Sequence, residues 1–419
     1  MAERVSRRLF LSAAGAPLMA GSRLPAARLP TAGRASQLSA IEGGTYDVAV
    51  IGAGVFGAWT AWKLRLAGQR VALLDAYGPG NSRSSSGGES RIIRMAYGAK
   101  EFYTRWSARS LLEWKALSAR ERVPLFAETG VLWLSPDKDK NALASIATLG
   151  RVGIPHEVLG RTQLEKRFPQ IAYDGLGLGI FEPESGALMS RRAVQTVVAA
   201  AVADGVDYLE ASVGPPEGRG RVAALRTSRG TDVRAGTFVF ACGPWLAKIF
   251  PDLLGDRIRV TRQEVFFFGI EPGDPRFVPP AMPTWIIDNE DSFGMPDLEG
   301  RGFKAAVDTG GPRVDPDTQS RVVTPEVTAA IRAYVARRFP ALRAAPITET
   351  RVCQYEYTST EDFLVDRHPG FENVWLVGGG SGHGFKHGPA LGEYVSERLL
   401  LGGPGEERFG LATKARAVG

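Results

Sequence analysis

Cysteine and histidine are scarce. Of 419 residues only Cys242 and Cys353 are thiols, and only His156, His368, His383 and His387 are imidazoles. Two thiols cannot make a disulfide framework or a four-thiolate zinc site, and neither H-E-x-x-H nor a C-x-x-C pair occurs, so no metal is expected. No apolar run reaches the roughly 18 residues that a membrane-spanning helix needs. Excess charge is also missing from most of the chain. The net charge is +6, but residues 1–41 carry +5 of it, as six Arg against Glu3. A nearly neutral body has no general electrostatic grip on phosphate backbones, which argues against nucleic acid as a partner. The 50 Gly and 27 Pro follow no period, excluding collagen, while 44% hydrophobic and 23% charged residues are globular composition. The length suits two interleaved domains or one large α/β domain.

The basic leader has an order of its own. Ser6-Arg7-Arg8-Leu9-Phe10-Leu11 is followed by a mildly apolar Ser12–Gly21 and then by small residues, Arg and Pro up to Ala40. Basic, apolar and small segments in that order read as a bacterial export signal of the twin-arginine type, and hence as a periplasmic or secreted location. A basic tail or an organellar transit peptide shares the composition. Ala35 and Ala40 are both compatible with cleavage. Residues 1–41 are set aside as signal and linker.

From Tyr46 the pattern becomes that of a folded domain. Tyr46-Asp47-Val48-Ala49-Val50-Ile51 predicts a strand, and Gly52-Ala53-Gly54-Val55-Phe56-Gly57 follows at once. Val55, Trp59, Trp62 and Leu66 then recur at helical spacing, Gly68 ends the helix, and Arg70–Leu74 predicts a second strand ending in Asp75. In this G-x-G-x-x-G turn, Gly52 permits the tight turn, Gly54 lets backbone approach a pyrophosphate, and Gly57 allows close helix-to-strand packing. Asp75 is placed to accept from a ribose hydroxyl. A lone glycine motif is weak, and a packing turn can look alike; strand, helix, strand and acid in order make dinucleotide binding the stronger reading.

No second unit of this kind follows, which disfavours a reductase with separate FAD and NAD folds. Residues 236–243 predict a strand, as do Asn373–Val377 before Gly378-Gly379-Gly380, and Pro389 opens a helix with Leu391, Val395 and Leu399 on one face. The fold class expected is therefore α/β, with a discontinuous Rossmann-like nucleotide domain from 46–100, 186–254 and 346–415. Residues 101–185 and 255–345 are assigned to a substrate domain built on an antiparallel sheet.

Three more segments carry a resemblance. They are Ser85-Ser86-Gly87-Gly88-Glu89-Ser90-Arg91-Ile92-Ile93-Arg94-Met95-Ala96-Tyr97-Gly98, then Arg351-Val352-Cys353-Gln354-Tyr355 through Phe363-Leu364-Val365-Asp366, and Gly380-Ser381-Gly382-His383-Gly384-Phe385-Lys386. With the glycine turn, these span residues 46 to about 400 and resemble the D-amino-acid oxidase superfamily of flavoproteins, within it the monomeric sarcosine oxidase and N-methyltryptophan oxidase group. The resemblance implies FAD, carried through a thioether at Cys353. It implies a cofactor site of Gly52, Ala53, Gly54, Val55, Phe56, Gly57, Asp75, Ala76, Ser85, Arg91, Gly243, Trp245, Cys353, Gly382, His383, Gly384, Phe385 and Lys386. Arg94 and Lys386 match the pair that holds a substrate carboxylate, which a bidentate guanidinium and an ammonium away from water do strongly. Lys304 matches a lysine near flavin N5 that favours oxidase over dehydrogenase, and Tyr355 is retained in the pocket. Cys242 reads as a small residue ending a strand.

The departures bear on substrate. Gly87 and Asp308 stand where the group has histidines and Phe293 where it has a tyrosine, which makes sarcosine itself a doubtful substrate and leaves a bulkier N-alkyl or cyclic secondary amino acid an equal candidate. His383 and His387 are four apart but lack a third ligand, so packing or hydrogen bonding is expected of them. Gly380-Ser381-Gly382 lacks the full G-x-S-x-G frame of a hydrolase elbow. The expected enzyme is a monomer that oxidises the amino acid to its imine and reduces molecular oxygen to hydrogen peroxide. An exported dehydrogenase passing electrons to a quinone or carrier protein is the first rival. A flavin-containing binding or assembly protein without turnover is the second.

Overall fold

The computed structural model describes residues 44–415. The basic leader, with its export reading, lies outside the described residues.

The first apolar run forms the strand Thr45–Ile51 at the centre of a seven-stranded sheet. Parallel ladders join it to Val71–Asp75 on one side and Asp232–Phe240 on the other. A strand enclosed on both faces has no polar side to show, which is why Val48, Ala49, Val50 and Ile51 are continuous rather than alternating. Asp207–Glu210 and Val374–Gly378 extend the sheet in parallel. Leu364–Arg367 and Ala224–Arg226 add antiparallel edges.

The helices Val55–Leu66, Ser190–Ala203 and Gly388–Leu401 pack together beside this sheet. Their meeting point is aromatic. Trp59 lies 5.1 Å, centroid to centroid, from both Trp62 and Trp114, the latter edge-on. Trp114 comes from the long helix Glu101–Glu121 and stacks on Phe385. Its indole N–H donates to the Lys386 carbonyl at 3.0 Å, fastening the loop that carries Lys386 to the helical layer.

The second sheet has eight strands in the order Ile347–Thr358, Ile258–Phe268, Phe303–Val307, Ser292–Met295, Thr284–Ile287, Val131–Ser135, Leu178–Glu182 and Glu157–Gly160. Thr284–Ile287 runs parallel to Val131–Ser135; the other pairs among the described residues are antiparallel. One assignment differs from the sequence reading. Ile347–Thr358 falls in the 346–415 stretch given to the nucleotide domain, yet its backbone pairs along its length with Ile258–Phe268. The side chains of such a strand alternate between two faces, and sequence alone does not say which neighbour satisfies the backbone. A small sheet of Arg91–Ile93, Gly186–Leu188 and Phe126–Ala127 lies apart from both. Among the described residues no helix is long and apolar enough to cross a membrane.

Trp114 is fully buried, so Trp114→Ala leaves a large void and an unpaired carbonyl. Urea denaturation followed by circular dichroism is expected to show a loss of about 3–5 kcal/mol.

Candidate active site

Two adjoining cavities lie between the sheets. The first, of about 380 Å³, opens above the glycine turn. Gly52 has φ +106°, a conformation that side chains resist, and a β-carbon there would overlap the Ala241 carbonyl. At Gly57 a β-carbon would overlap the Gly52 carbonyl oxygen, so helix and strand approach only because the side chain is missing. Gly54 is different. A β-carbon there would meet nothing nearer than Ser86 Oγ at 3.6 Å, so packing within the protein does not require glycine. What the absent side chain preserves is open cavity above bare backbone, as a pyrophosphate needs.

The start of the Val55–Leu66 helix points the same way. It has no acidic residue in its first turn and no side-chain cap, and the Val55 amide donates to Ser86 Oγ at 3.2 Å. The positive end of the helix is thus available to an anion. Asp75 accepts from the amides of Ala53 at 2.7 Å and Tyr77 at 2.9 Å, so it braces the turn as well as lining the cavity. Burial pushes its carboxyl above the usual range, against the pull of those amides. These features fit a dinucleotide.

The second cavity, of about 670 Å³, shares Arg91, Tyr355, Ser381, Gly382 and Phe385 with the first, so the two adjoin at that wall. Arg94 and Lys386 line it together. The Arg94 guanidinium sits 4.2 Å from the Tyr97 ring centroid and 4.5 Å from that of Trp133, and donates to the Ala96 carbonyl. Lys386 is 4% exposed, and its ammonium donates to Tyr97 Oη and the His383 carbonyl, both at 2.8 Å. Both cations therefore hydrogen-bond neutral oxygens only. Burial, then the nearby Arg94 charge, drives the Lys386 ammonium well below its ordinary value. Two acids are near: Asp288, on the same cavity wall, accepts from Asn141 and reaches Arg94 through charge without a hydrogen bond, and Glu182 has its oxygens taken by the amides of Met95 at 2.7 Å and Ala96 at 3.0 Å and by Ser185 at 2.7 Å. It holds the backbone that presents Arg94 and leaves both cations an open claim on an anion.

Lys304 lies on the opposite sheet, 3% exposed, with its ammonium on the Ser90 carbonyl at 2.9 Å and Ser90 Oγ at 3.3 Å. Burial, helped by Arg91, pulls it down to about 7. Cys353 lines the second cavity, its sulfur 3.5 Å from the Arg91 guanidinium. Tyr355 borders both cavities, and burial with the Asp308 charge keeps its phenol protonated. Tyr357 donates to Asp308 at 3.0 Å.

The sequence-selected residues fall into three groups. Gly52, Gly54, Val55, Phe56, Asp75, Ala76, Ser85, Gly243, Trp245 and Gly384 line the first cavity, where Arg91, Gly382 and Phe385 join them at the junction. Cys353, His383 and Lys386, grouped with the cofactor residues, line the second instead, alongside Arg94 and Lys304. Ala53 and Gly57 line neither and act from beneath the turn. His383 donates to or accepts from Tyr97 Oη at 3.4 Å and lies at 3.0 Å from the Glu361 carbonyl, wedged among Tyr97, Tyr103 and Phe363. Among the described residues no His/Cys/Asp/Glu group could hold a metal. Phe293 and Asp308 face the second cavity, but Gly87 does not: a β-carbon there would overlap the Asn81 carbonyl. The substrate argument therefore rests on Phe293 and Asp308.

Sequence reasoning passed over Tyr97, Glu182 and Trp133. Tyr97 meets the Arg94 guanidinium with its face and Lys386 with its hydroxyl, which also lies 2.9 Å from His387 Nε2. It stood three residues after Arg94 in a segment already singled out. Glu182 and Trp133 lay in strands with no motif to mark them.

Fold and site together define a dinucleotide-dependent enzyme whose second cavity is lined by Arg94, Lys304 and Lys386. The model of the FAD dependent oxidoreductase family matches residues 47–398, and the chain belongs to that family. It is 30% identical to a monomeric sarcosine oxidase of Bacillus sp. (strain B-0618), over 85% of this chain and 93% of that protein. It is likewise 30% identical to an N-methyl-L-tryptophan oxidase of Salmonella heidelberg (strain SL476), over 85% and 95%. In fold it is similar to an L-proline dehydrogenase from P. horikoshii, with a TM-score of 0.76 at 20% identity, covering 88% of this chain and 97% of that one.

Tyr97→Phe keeps the ring beneath Arg94 and removes the hydroxyl that receives Lys386. Titration of a small carboxylate against flavin absorbance is expected to show binding weakened on the order of tenfold, with the unfolding midpoint little changed.

Proposed function

We propose that this enzyme oxidises a secondary amino acid, N-alkyl or cyclic, at its CH–NH bond, with molecular oxygen as the acceptor. One observation carries the reading: Arg94 and Lys386 line one cavity together, with no salt bridge to either among the described residues, and that cavity adjoins the one above the dinucleotide turn. The relatives named for sarcosine and N-methyl-L-tryptophan support an amine bearing a carboxylate. Phe293 and Asp308 on the cavity wall support a substrate other than sarcosine itself.

FAD, when bound, supplies the acceptor for a hydride equivalent. The chain supplies the rest. Arg94 and Lys386 hold the carboxylate and so fix the adjacent C–H and N–H in one orientation. An arriving carboxylate also restores the Lys386 charge that burial disfavours. Trp133, Phe293 and Tyr355 wall the site against water. The substrate loses two electrons and two protons to become an imine, which water hydrolyses. Oxygen gains two electrons and two protons to become hydrogen peroxide, and Lys304, when protonated below its value of about 7, provides positive charge where negative charge develops on it. The reacting amine must be neutral, so flavin reduction is expected to accelerate as pH rises toward the amine's own pKa.

The test is a panel of N-alkyl and cyclic amino acids mixed anaerobically with the enzyme, followed by air. Bleaching at the flavin band and peroxide on readmitting air are expected, and Arg94→Met should raise KM at least on the order of tenfold. A reduced flavin that persists in air would instead favour the exported dehydrogenase suggested by the leader. No bleaching by any member of the panel would sink the reading.

We further propose that the flavin is attached through Cys353. The sulfur lines the second cavity 3.5 Å from the guanidinium of Arg91, which borders both cavities, so it stands where a ring reaching over from the first cavity would meet it. Acid precipitation should leave yellow colour in the pellet, and Cys353→Ser should release it to the supernatant; colour released from the unaltered chain would refute the bond.

A further inference from the structure

We propose that Glu356 is a binding residue for FAD, and that the carboxyl oxygen the protein leaves without a partner hydrogen-bonds the cofactor in the first cavity. The inference rests on the FAD reading above. Along the strand from Val352 to Thr358 the side chains alternate. Cys353 and Tyr357 line the second cavity and Tyr355 stands between the two, whereas Glu356 lines the first alone. Glu356 is 6% exposed. Its Oε1 accepts from the Gly380 amide at 3.3 Å, while its Oε2 is sealed from water and has no partner. A buried carboxyl oxygen without a partner is costly, and proteins keep few of them. Here it borders a cavity built for a ligand rich in hydroxyl and phosphate groups.

Ionised, that carboxyl would repel a pyrophosphate. Its surroundings resist ionisation. Val260 is its cross-strand neighbour, and Leu246 and Phe56 approach the same glycine loop. From the Ala241–Cys242 turn it faces a thiol that burial pushes up and keeps neutral. Asp75 and Arg91 are the charged groups elsewhere on the cavity wall shared with it at its two ends, together with Lys248 and Asp317, which pair with each other. Burial raises the Glu356 carboxyl to about 7, the amides of Gly380 and Gly379 offsetting only part of it. Below that pH the group is a carboxylic acid and a hydrogen-bond donor. Above it the donor is lost and a negative charge remains, so the grip on FAD weakens as pH rises. Bound FAD that accepts this proton holds it more tightly and moves the midpoint upward.

The experiment uses the full chain with Cys353→Ser, in which flavin is exchangeable, stripped of cofactor and titrated with FAD by fluorescence quenching. With Glu356 in place, Kd should increase between about pH 6 and pH 8.5. Glu356→Gln retains a donor that cannot ionise and should flatten that dependence. Glu356→Leu should bind on the order of tenfold more weakly at the acid end. Should the Leu variant not fold, the isosteric Gln variant decides alone: a pH dependence equal to the parent's overturns the proposal. A parent chain that takes up no FAD overturns the cofactor reading, and this inference with it.

Discussion

The constraint on which the site depends is the placing of two basic side chains side by side, Lys386 buried and Arg94 partly so. Taking an ammonium out of water costs several kcal/mol, and the guanidinium near it adds to that cost, so the charge on Lys386 is disfavoured until an anion arrives. A protein ordinarily avoids this by supplying a carboxylate. Here Glu182 is spent on the amides of Met95 and Ala96, and Asp288 reaches Arg94 without a hydrogen bond. The cations are held by softer means: the rings of Tyr97 and Trp133 around Arg94, a phenol and a carbonyl on Lys386. Those contacts fix position without neutralising charge. The neutralisation is left to a ligand, and an α-carboxylate has the charge, planarity and size for it.

The aromatic layer beneath the site gives this arrangement its rigidity. Trp114 binds the Lys386 carbonyl, stacks on Phe385 and meets Trp59 of the nucleotide-side helix. His387 lies below, within reach of Tyr97, and burial with the Lys386 charge keeps its imidazole neutral. A neutral histidine there can share a hydrogen bond with the phenol without adding a third cation. The imidazoles that resembled a metal pair in sequence thus work as neutral packing, which requires their burial and is invisible to spacing alone.

Sequence reached far into this molecule wherever local rules operate. The Tyr46–Asp75 unit was legible because strand, turn and helix are contiguous and each glycine has a local reason. Arg94, Lys304 and Lys386 were legible through the resemblance, since nothing in their immediate neighbours marks a cavity. Contacts assembled from distant segments were not. Tyr97 meets Lys386 across 289 positions of chain, and Glu182 reaches Met95 across 87. Gly87 shows the opposite failure: an aligned position suggested an altered pocket wall, while the Asn81 carbonyl beside it leaves no room for a side chain to reach one.

The strand Ile347–Thr358 explains why the domain boundary resists a single residue number. Its backbone is committed to the antiparallel sheet, yet its period of two sends Glu356 into the dinucleotide cavity and Cys353 and Tyr357 into the other, with Tyr355 between the two. One rigid element therefore fixes the relative position of both cavities. A one-residue slip in its register would exchange the two sets of side chains, placing a carboxyl beside the substrate cations and phenols in the nucleotide cleft. Ladder hydrogen bonds with Ile258–Phe268 oppose that slip along the whole strand, so the pairing that stabilises the fold is also what keeps Glu356 in one cavity and Cys353 and Tyr357 in the other.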